Sequence, residues 1–249
     1  MPRIAIVMAV LILAGAAGCI IDEKRYSDPY ACLNKPPPTA AASQIVFKGT
    51  VSQAGASIMG ANVGVYYDTA PEVQIIGTMS QGDKGVFEMQ QGFGPLAPDV
   101  FLKAHFNGLL ETRYYPAVAP TDVVEVDLQM FSTGYIPIYS TLVGLDKTGG
   151  IDMQKAIFAV SVIDCNGQPI GGATVATEPP GDVRYFENGQ PSPTASMTDR
   201  TLGAAVVVNV PLNMPSNNIN ITARVGDTVL RSHFIQGAAP MLIQTDIQP

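Results

Sequence analysis

The pattern of hydrophobic and polar positions consists of short apolar runs separated by Gly, Pro, Asn and Asp. In 123–128 apolar residues alternate with acidic ones, which is typical of a half-buried strand. Asn107-Gly108 lies between two such runs and Gly226-Asp227 lies between two others, and both dipeptides favour tight hairpin turns. The pattern therefore predicts a turn-rich, all-β chain.

Two stretches of the chain repeat each other. Both 55–63 and 167–175 read G-x-x-I-x-G-A-x-V without a gap. Two more matches follow in the same order, at offsets that drift only from 112 to 118 and 119: 78–85 with 196–203, and 102–106 with 221–225. Ordered matches of this kind predict two homologous β-sandwich domains, β-sandwich 1 over 44–131 and β-sandwich 2 over 155–249, with a connector over 132–154.

The first 18 residues have the organisation of a secretory signal. Arg3 precedes an apolar run over 4–13, and small residues follow. The segment Ala16-Ala17-Gly18-Cys19 resembles the lipobox of bacterial lipoproteins, which implies that Cys19 carries fatty acids such as palmitate. Ile20, rather than Asp, follows the cysteine, and by resemblance to the enterobacterial sorting pattern this implies the outer membrane of a Gram-negative envelope, on its periplasmic or surface face. Ordinary signal cleavage beside an incidental cysteine is the alternative.

Residues 19–43 combine mixed charges, three consecutive prolines and a run of small residues. The prolines at 36–38 favour extended polyproline II. We therefore expect a flexible, lipid-anchored tether, with an N-terminal strand behind a long irregular lead as the alternative.

The second repeat carries a longer motif that resembles the carboxypeptidase-regulatory-like domain. The residues that match are Asp164, Gly167, Pro169, Ile170, Gly172, Ala173, Val175, Thr198, Asp199 and Gly203. The resemblance implies a transthyretin-like (prealbumin-like), Ig-like Greek-key sandwich in which these residues form turns and core. The first repeat keeps Gly55, Gly60 and Ala61 but departs from the motif at Ala56-Ser57 and at Gln81.

Composition narrows the function classes. The net charge of −7 argues against nucleic acid as a partner, because phosphate binding needs clustered Lys and Arg. Two His and three Cys leave few metal ligands, so neither a metal nor a cofactor is predicted. Beside Cys19, the pair Cys32 and Cys165 is a candidate disulfide, with two free thiols as the alternative.

No set of residues brings a nucleophile, an acid and a base together, and we interpret His105 and His233 as structural or surface residues. The chain is therefore predicted not to be an enzyme. It is predicted to be a lipid-anchored envelope protein that presents two sandwiches as a binding or spacer surface. A glycan or cell-wall binder using Tyr66, Tyr67, Tyr114 or Tyr115 is one alternative, and an accessory subunit of a secreted enzyme or export complex is another. The expected partners are the membrane, through the anchor, and an envelope protein or polysaccharide.

Overall fold

A computed structural model describes residues 28–145, 148–187, 189–212 and 217–249. The predicted signal and Cys19 lie outside these ranges. Within them the chain is almost entirely β, and the prediction of an all-β protein built from sandwich domains is confirmed. None of the helices in the described ranges has the length and apolar character needed to cross a membrane.

The first unit contains eight strands in the described residues. They are β1 (Ile45–Gln53), β2 (Ala56–Ser57), β3 (Asn62–Tyr67), β4 (Ala70–Met79), β5 (Val86–Gln91), β6 (Val100–His105), β7 (Glu111–Tyr115) and β8 (Val123–Gln129). One layer has β1 at its centre, antiparallel to β2 and β5 and parallel to β8. The other layer runs β4-β3-β6-β7. Asn107-Gly108 joins β6 to β7, as the hairpin prediction requires.

A connector with a 3-10 turn (Thr133–Tyr135) and the helix α1 (Ile136–Leu142) leads to the second unit. The strands there are β9 (Ala156–Val162), β10 (Ala173–Glu178), β11 (Asp182–Glu187), β12 (Gln190–Ser192), β13 (Ala204–Val210), β14 (Asn218–Val225), β15 (Thr228–Val229), β16 (His233–Gln236) and β17 (Met241–Ile247). One layer runs β12-β11-β13-β9-β17, and the other pairs β14 with β10, β15 and β16.

The two units share pairing as well as sequence. In the first, β1 lies between antiparallel β5 and parallel β8, and in the second, β9 lies between antiparallel β13 and parallel β17. The hairpin of β6 and β7 beside β3 corresponds to β14 and β16 beside β10. The repeat in the sequence is therefore a repeat of topology.

One buried hydroxyl organises the motif in each unit. Ser80 Oγ donates to the carbonyl of Ile58 at 2.7 Å and accepts from the amide of Ala61 at 2.9 Å. Thr198 Oγ1 makes the equivalent two bonds in the second unit, at 2.7 and 2.9 Å. Each hydroxyl satisfies backbone groups that the turn before β3 or β10 would otherwise leave unpaired, which explains why the matched positions carry Ser or Thr.

The motif glycines supply left-handed backbone. Gly55, Gly60, Gly167 and Gly172 have φ values of 81°, 84°, 75° and 81°. Such angles strain other L-residues. The adjoining alanines Ala61 and Ala173 are fully buried in the two cores.

The two units differ in the sheet that one strand joins, β4 in the first unit and β11 in the second. Strand β4 turns back after Asp68-Thr69 and pairs with β3, whereas β11 pairs with β13 in the opposite layer. Pro179-Pro180-Gly181 stands at the corresponding turn of the second unit. Because proline lacks a backbone donor and fixes φ, it cannot extend a hairpin ladder from β10, and the chain crosses to the other sheet.

The two sandwiches are fused by a strand that both use. Strand β17 pairs in parallel with β9 of its own unit, from Leu242 opposite Ile157 to Ile247 opposite Val162. On its other side it pairs in parallel with β7 of the first unit, from Met241 opposite Glu111 to Thr245 opposite Tyr115. One nine-stranded sheet, β12-β11-β13-β9-β17-β7-β6-β3-β4, therefore crosses both units.

The motif glycines Gly85 and Gly203 generate a test of the shared architecture. Both have positive φ, and a Cβ there would lie 2.6 Å from the carbonyl oxygen of Val51 or 2.5 Å from that of Val162. We expect Gly203→Ala and Gly85→Ala each to lower the free energy of unfolding by more than about 3 kcal/mol, measured by urea denaturation. Gly226→Ala is the matched control, because its φ is also positive but its added Cβ meets open space, so it should cost only about 1 kcal/mol. Equal losses at Gly203 and Gly226 would contradict the steric argument.

Candidate functional site

The polar residues of β17 bind the first unit to the second. All seven residues of β17 are buried. Gln244 lies against the edge of β8, where its Oε1 accepts from the amide of Gln129 at 2.9 Å and its Nε2 donates to the carbonyl of Asp127 at 3.3 Å. Thr245 Oγ1 donates to the carbonyl of Tyr115 at 3.0 Å. The side chains thus add cross-unit bonds to the backbone pairing of β17 with β7.

The contact between β17 and β7, which we call the joint, contains a buried carboxyl group, that of Asp246 on β17. The hydroxyl of Tyr114, on β7 of the first unit, donates to Oδ2 of Asp246 at 2.6 Å. Burial raises the pKa of Asp246 to about 7, against the opposing effect of hydrogen bonds from Tyr114 and Ser161. Near neutral pH the carboxyl is therefore partly protonated, and its geometry is that of an internal hydrogen-bond centre.

The two histidines lie apart. His105 is exposed at the end of β6. His233 has its Nδ1 2.8 Å from Thr245 Oγ1 and packs edge-on against the ring of Tyr115. Burial lowers the pKa of His233 to about 4, so the ring is neutral at physiological pH. The described residues contain no group of three or more His, Cys, Asp or Glu suited to a metal ion.

The four tyrosines proposed as glycan contacts do not form a platform. Tyr66, Tyr114 and Tyr115 are only 7 %, 2 % and 3 % exposed, so for these three the prediction is wrong. Tyr67 is 41 % exposed. The two rings do alternate, because Tyr114 packs in the core of the first unit and Tyr115 in a hydrophobic cluster that extends into the second unit, but both faces of β7 are covered.

The aromatic rings on the outer face of the first unit are covered by their neighbours. Tyr66 stacks on Phe101 at 5.5 Å and Phe101 on Tyr115 at 5.0 Å. The amino group of Lys103 lies 4.1 Å from the centre of the Tyr66 ring, and Arg113 lies over Phe101. These cation–π contacts occupy the ring faces that a sugar would need.

Cys32 and Cys165 form a disulfide with a Cα–Cα separation of 5.7 Å. Residues 28–44, which we call the strap, are fixed at many points and are not a free tether. Near the second unit the carbonyl of Pro29 accepts from Cys165, and the carbonyl of Lys35 accepts from Arg231. The strap then reaches the first unit, where Ala41 donates to Pro95 at 3.0 Å. It therefore spans the outside of both sandwiches.

The motif turn at the disulfide is ordered by Asp164. Its Oδ1 accepts from the amides of Asn166 and Gln168 at 2.7 and 2.8 Å. This is an Asx-type turn, in which the side chain replaces a backbone acceptor. The turn holds Cys165 in position for the bond to the strap.

An apolar cavity of about 60 Å³ lies beneath α1 and was not predicted. Its roof is formed by Ile136, Tyr139 and Val143, and its floor by strands of the second unit. Arg184 reaches its edge, where Nε donates to the carbonyl of Val143 at 2.7 Å. The predicted connector over 132–154 therefore covers part of the second unit with its helix α1.

Asp246 generates a prediction of pH dependence. Its pKa is raised in the folded state, so the fold binds the proton more tightly than the unfolded chain and loses stability as pH rises from about 4 to about 7. Asp246→Asn removes that loss. We expect the stability of the variant relative to wild type to increase over this range by up to about 4 kcal/mol and to level off above pH 7, in urea denaturation series. Asp227→Asn, an exposed control, should run parallel to wild type, and a parallel curve for Asp246→Asn would refute the assignment.

The disulfide generates a second prediction. It closes a loop of 133 residues, and in the chain-entropy model its loss costs roughly 4–5 kcal/mol. The double variant Cys32→Ser/Cys165→Ser should unfold at lower denaturant concentration and should be cleaved by proteases within the strap before the sandwiches are cut. Cys19→Ser is the control and should retain the wild-type cleavage pattern. An uncleaved strap in the double variant would show that its hydrogen bonds suffice to hold it.

No family model matches the chain, and no curated protein matches it. Solved structures with some likeness include the Bacillus anthracis TIE protein, at 10% identity and a TM-score of 0.27 over 82% of this chain and 34% of that one. A Streptococcal ancillary pilin gives 8% identity and 0.26 over 83% and 62%. A leucine-rich repeat protein from Bacteroides thetaiotaomicron VPI-5482 gives 10% and 0.23 over 84% and 26%. The chain spans about a third of the first protein and less than two thirds of the second, and TM-scores this low carry no argument about function.

Proposed function

We propose that the chain is a non-enzymatic, lipid-anchored envelope protein that presents its two sandwiches as one rigid binding and spacer surface. The observation that carries the proposal is the shared sheet, in which β17 pairs with β9 and β7 at once. Domains in one chain commonly meet through small polar interfaces and move relative to each other. A sheet that runs through both units resists bending between them, as a spacer requires.

The strap and its disulfide support an exported location. Disulfides persist in oxidising compartments such as the periplasm and the cell surface. The bond of Cys32 to Cys165 also fixes the chain soon after the proposed lipid attachment at Cys19, since 12 residues separate the two cysteines. A short lead from the membrane to a fixed point would hold the sandwiches close to the envelope surface. We assign this surface to the outer membrane on the sorting resemblance at Ile20.

The buried ionisable groups support a structural role. Asp246 receives the hydroxyl of Tyr114, and His233 lies against Thr245 and Tyr115. Both sit in the joint between the units, where their partners are protein groups.

The hydrogen-bond network repeated at Ser80 and Thr198 further supports assigning both units to the carboxypeptidase-regulatory-like, transthyretin-like type of sandwich.

The placement of the tyrosines bears on the partner. With Tyr66, Tyr114 and Tyr115 buried, a polysaccharide would lack the predicted stacking surface. We therefore favour an envelope protein over a polysaccharide as the partner that the surface engages.

Metabolic labelling tests the anchor. Cells expressing the chain are fed an alkyne analogue of palmitate, and the purified protein is tagged and quantified. We expect labelling of the wild type, complete loss in Cys19→Ser, and full labelling of the control Cys32→Ser/Cys165→Ser. An unlabelled wild type, or label that survives Cys19→Ser, would overturn the lipid-anchored assignment.

Cross-linking in native membranes followed by mass spectrometry tests the binding role. We expect cross-links to an envelope protein, and their absence would contradict the proposed role.

A further inference from the structure

We infer that the outward side of helix α1 lies against the lipid bilayer to which the chain is anchored. This assignment deepens the proposed function, because it rests on the lipid attachment proposed at Cys19. It specifies which side of the second unit faces the membrane, and it leaves the layer of β10 and β14, on the opposite side, for a protein partner.

The outward side of α1 carries exposed apolar side chains. Tyr135, Ile138 and Leu142 recur at helical spacing and are 46 %, 54 % and 38 % exposed. Pro137 and Thr141 are exposed between them, and we call these five residues the α1 face. None of the five is charged. A surface helix ordinarily turns charged side chains to water, and a helix that is apolar on every side is normally buried.

The inward side of α1 is already occupied, so the helix cannot rotate to bury the α1 face. Three residues pack inward over the cavity, namely Ile136, Tyr139 and Val143. The hydroxyl of Thr141 does not make the α1 face polar, because it donates to the carbonyl of Pro137 within the helix, at 3.2 Å. Charged residues make up 14 % of the chain but are absent from 131–145, so the connector lacks charge where it meets solvent.

The area of the α1 face favours a bilayer over a protein as its partner. A side chain of this size has roughly 200 Å² of surface, so the exposed fractions of Tyr135, Ile138 and Leu142 correspond to about 300 Å². A stable protein interface buries about 800 Å² on each partner. The α1 face is too small to hold a protein by itself. It suffices for a chain that a lipid already keeps at the membrane, because most of the loss of translational freedom has then occurred.

The length of chain before the described residues brings a bilayer within reach. Asp28 follows Cys19 by nine positions, and nine residues span at most about 30 Å. The carbonyl of Pro29 accepts from the amide of Cys165, which lies six positions beyond Ala159, or about 20 Å along an extended chain. Ala159 lies under α1. A membrane that holds Cys19 can therefore also touch the α1 face.

The residue types of the α1 face suit the boundary between headgroups and acyl chains. A helix that lies in this boundary buries its apolar side by about 5–10 Å. Ile138 and Leu142 are placed to enter the hydrocarbon. Tyr135, at the start of α1, can keep its hydroxyl among the headgroups, where tyrosine is enriched in membrane proteins. With seven residues, α1 lies on the bilayer and does not cross it.

A tryptophan reporter tests the contact. The chain has no tryptophan, and Cys19 is the one cysteine outside the disulfide. The mature chain, 19–249, is coupled through Cys19 to a maleimide lipid in vesicles of phosphatidylethanolamine and phosphatidylglycerol, so attachment does not require acylation in cells. We expect Ile138→Trp to show blue-shifted emission, about half of it quenched by lipids brominated near the headgroup end of their chains. The control Phe234→Trp, at a 68 % exposed position on β16, should be neither shifted nor quenched.

Two results with this reporter overturn the inference. Unquenched emission of Ile138→Trp on the attached chain shows that the α1 face does not touch the bilayer. A blue shift in vesicle-free solution that grows with protein concentration assigns the face to a second copy of the chain instead. Failure of the proposed anchor is detected separately, as missing palmitate label in cells, and it changes neither readout.

Paired substitutions show which side chains make the contact. Tyr135→Trp serves as the reporter, and Ile138→Asn/Leu142→Asn should reduce its quenching several-fold, because amides are costly to bury in hydrocarbon. Val73→Asn/Met79→Asn is the matched control on β4, at positions 54 % and 56 % exposed, and should leave the quenching unchanged. Circular dichroism verifies that both variants fold. Equal losses in the two variants would overturn the assignment to the α1 face.

Discussion

The parallel pairing of β17 with β7 is the interaction on which the rest of the structure depends. It converts the last strand of the second sandwich into the next strand of the first. Without β7, the edge of β17 would expose unpaired backbone groups, and Gln244 and Asp246 would lose their partners across the joint. Buried polar groups are costly when unpaired, so neither unit keeps its present packing alone. The aromatic stack on the first unit likewise joins the hydrophobic core of the second.

Local signals in the sequence account for most of the strands. Turn dipeptides locate the hairpins at 107–108 and 226–227, and the repeated glycines mark positions where left-handed backbone is required. The motif matches predict equivalent turns, and Ser80 and Thr198 show that the equivalence extends to single hydrogen bonds. These features depend on neighbouring residues, which is why a linear reading could find them.

The joint, helix α1 and the cavity depend on residues that are far apart in the sequence, so the sequence analysis did not predict them. Tyr115 lies on the face of β7 opposite the core of the first unit, and it is buried in a cluster with Met241 and Ile243, so alternation along β7 could not show that neither ring faces solvent. Helix α1 has two isoleucines and a proline within seven residues, and its formation depends on packing over the second unit more than on intrinsic propensity. Arg184 looks like any surface residue of a strand until Val143 is brought to it from the connector. The sequence named Cys32 and Cys165 as a pair, but only the fold provides their separation.

The disulfide also determines how mechanical load passes through the molecule. Tension applied before Cys32, from whatever holds the N-terminal end, divides at that residue: one branch follows residues 33–44 to the first unit, and the other crosses the bond to Cys165 and enters the second unit. The C-terminal Pro249 lies at the same place, since its carbonyl is 3.5 Å from the sulfur of Cys32. The second unit is therefore loaded at its own motif turn without the force first passing through the first unit. The first unit is held by the strap and by the shared sheet, so the bridge divides the load between the two units.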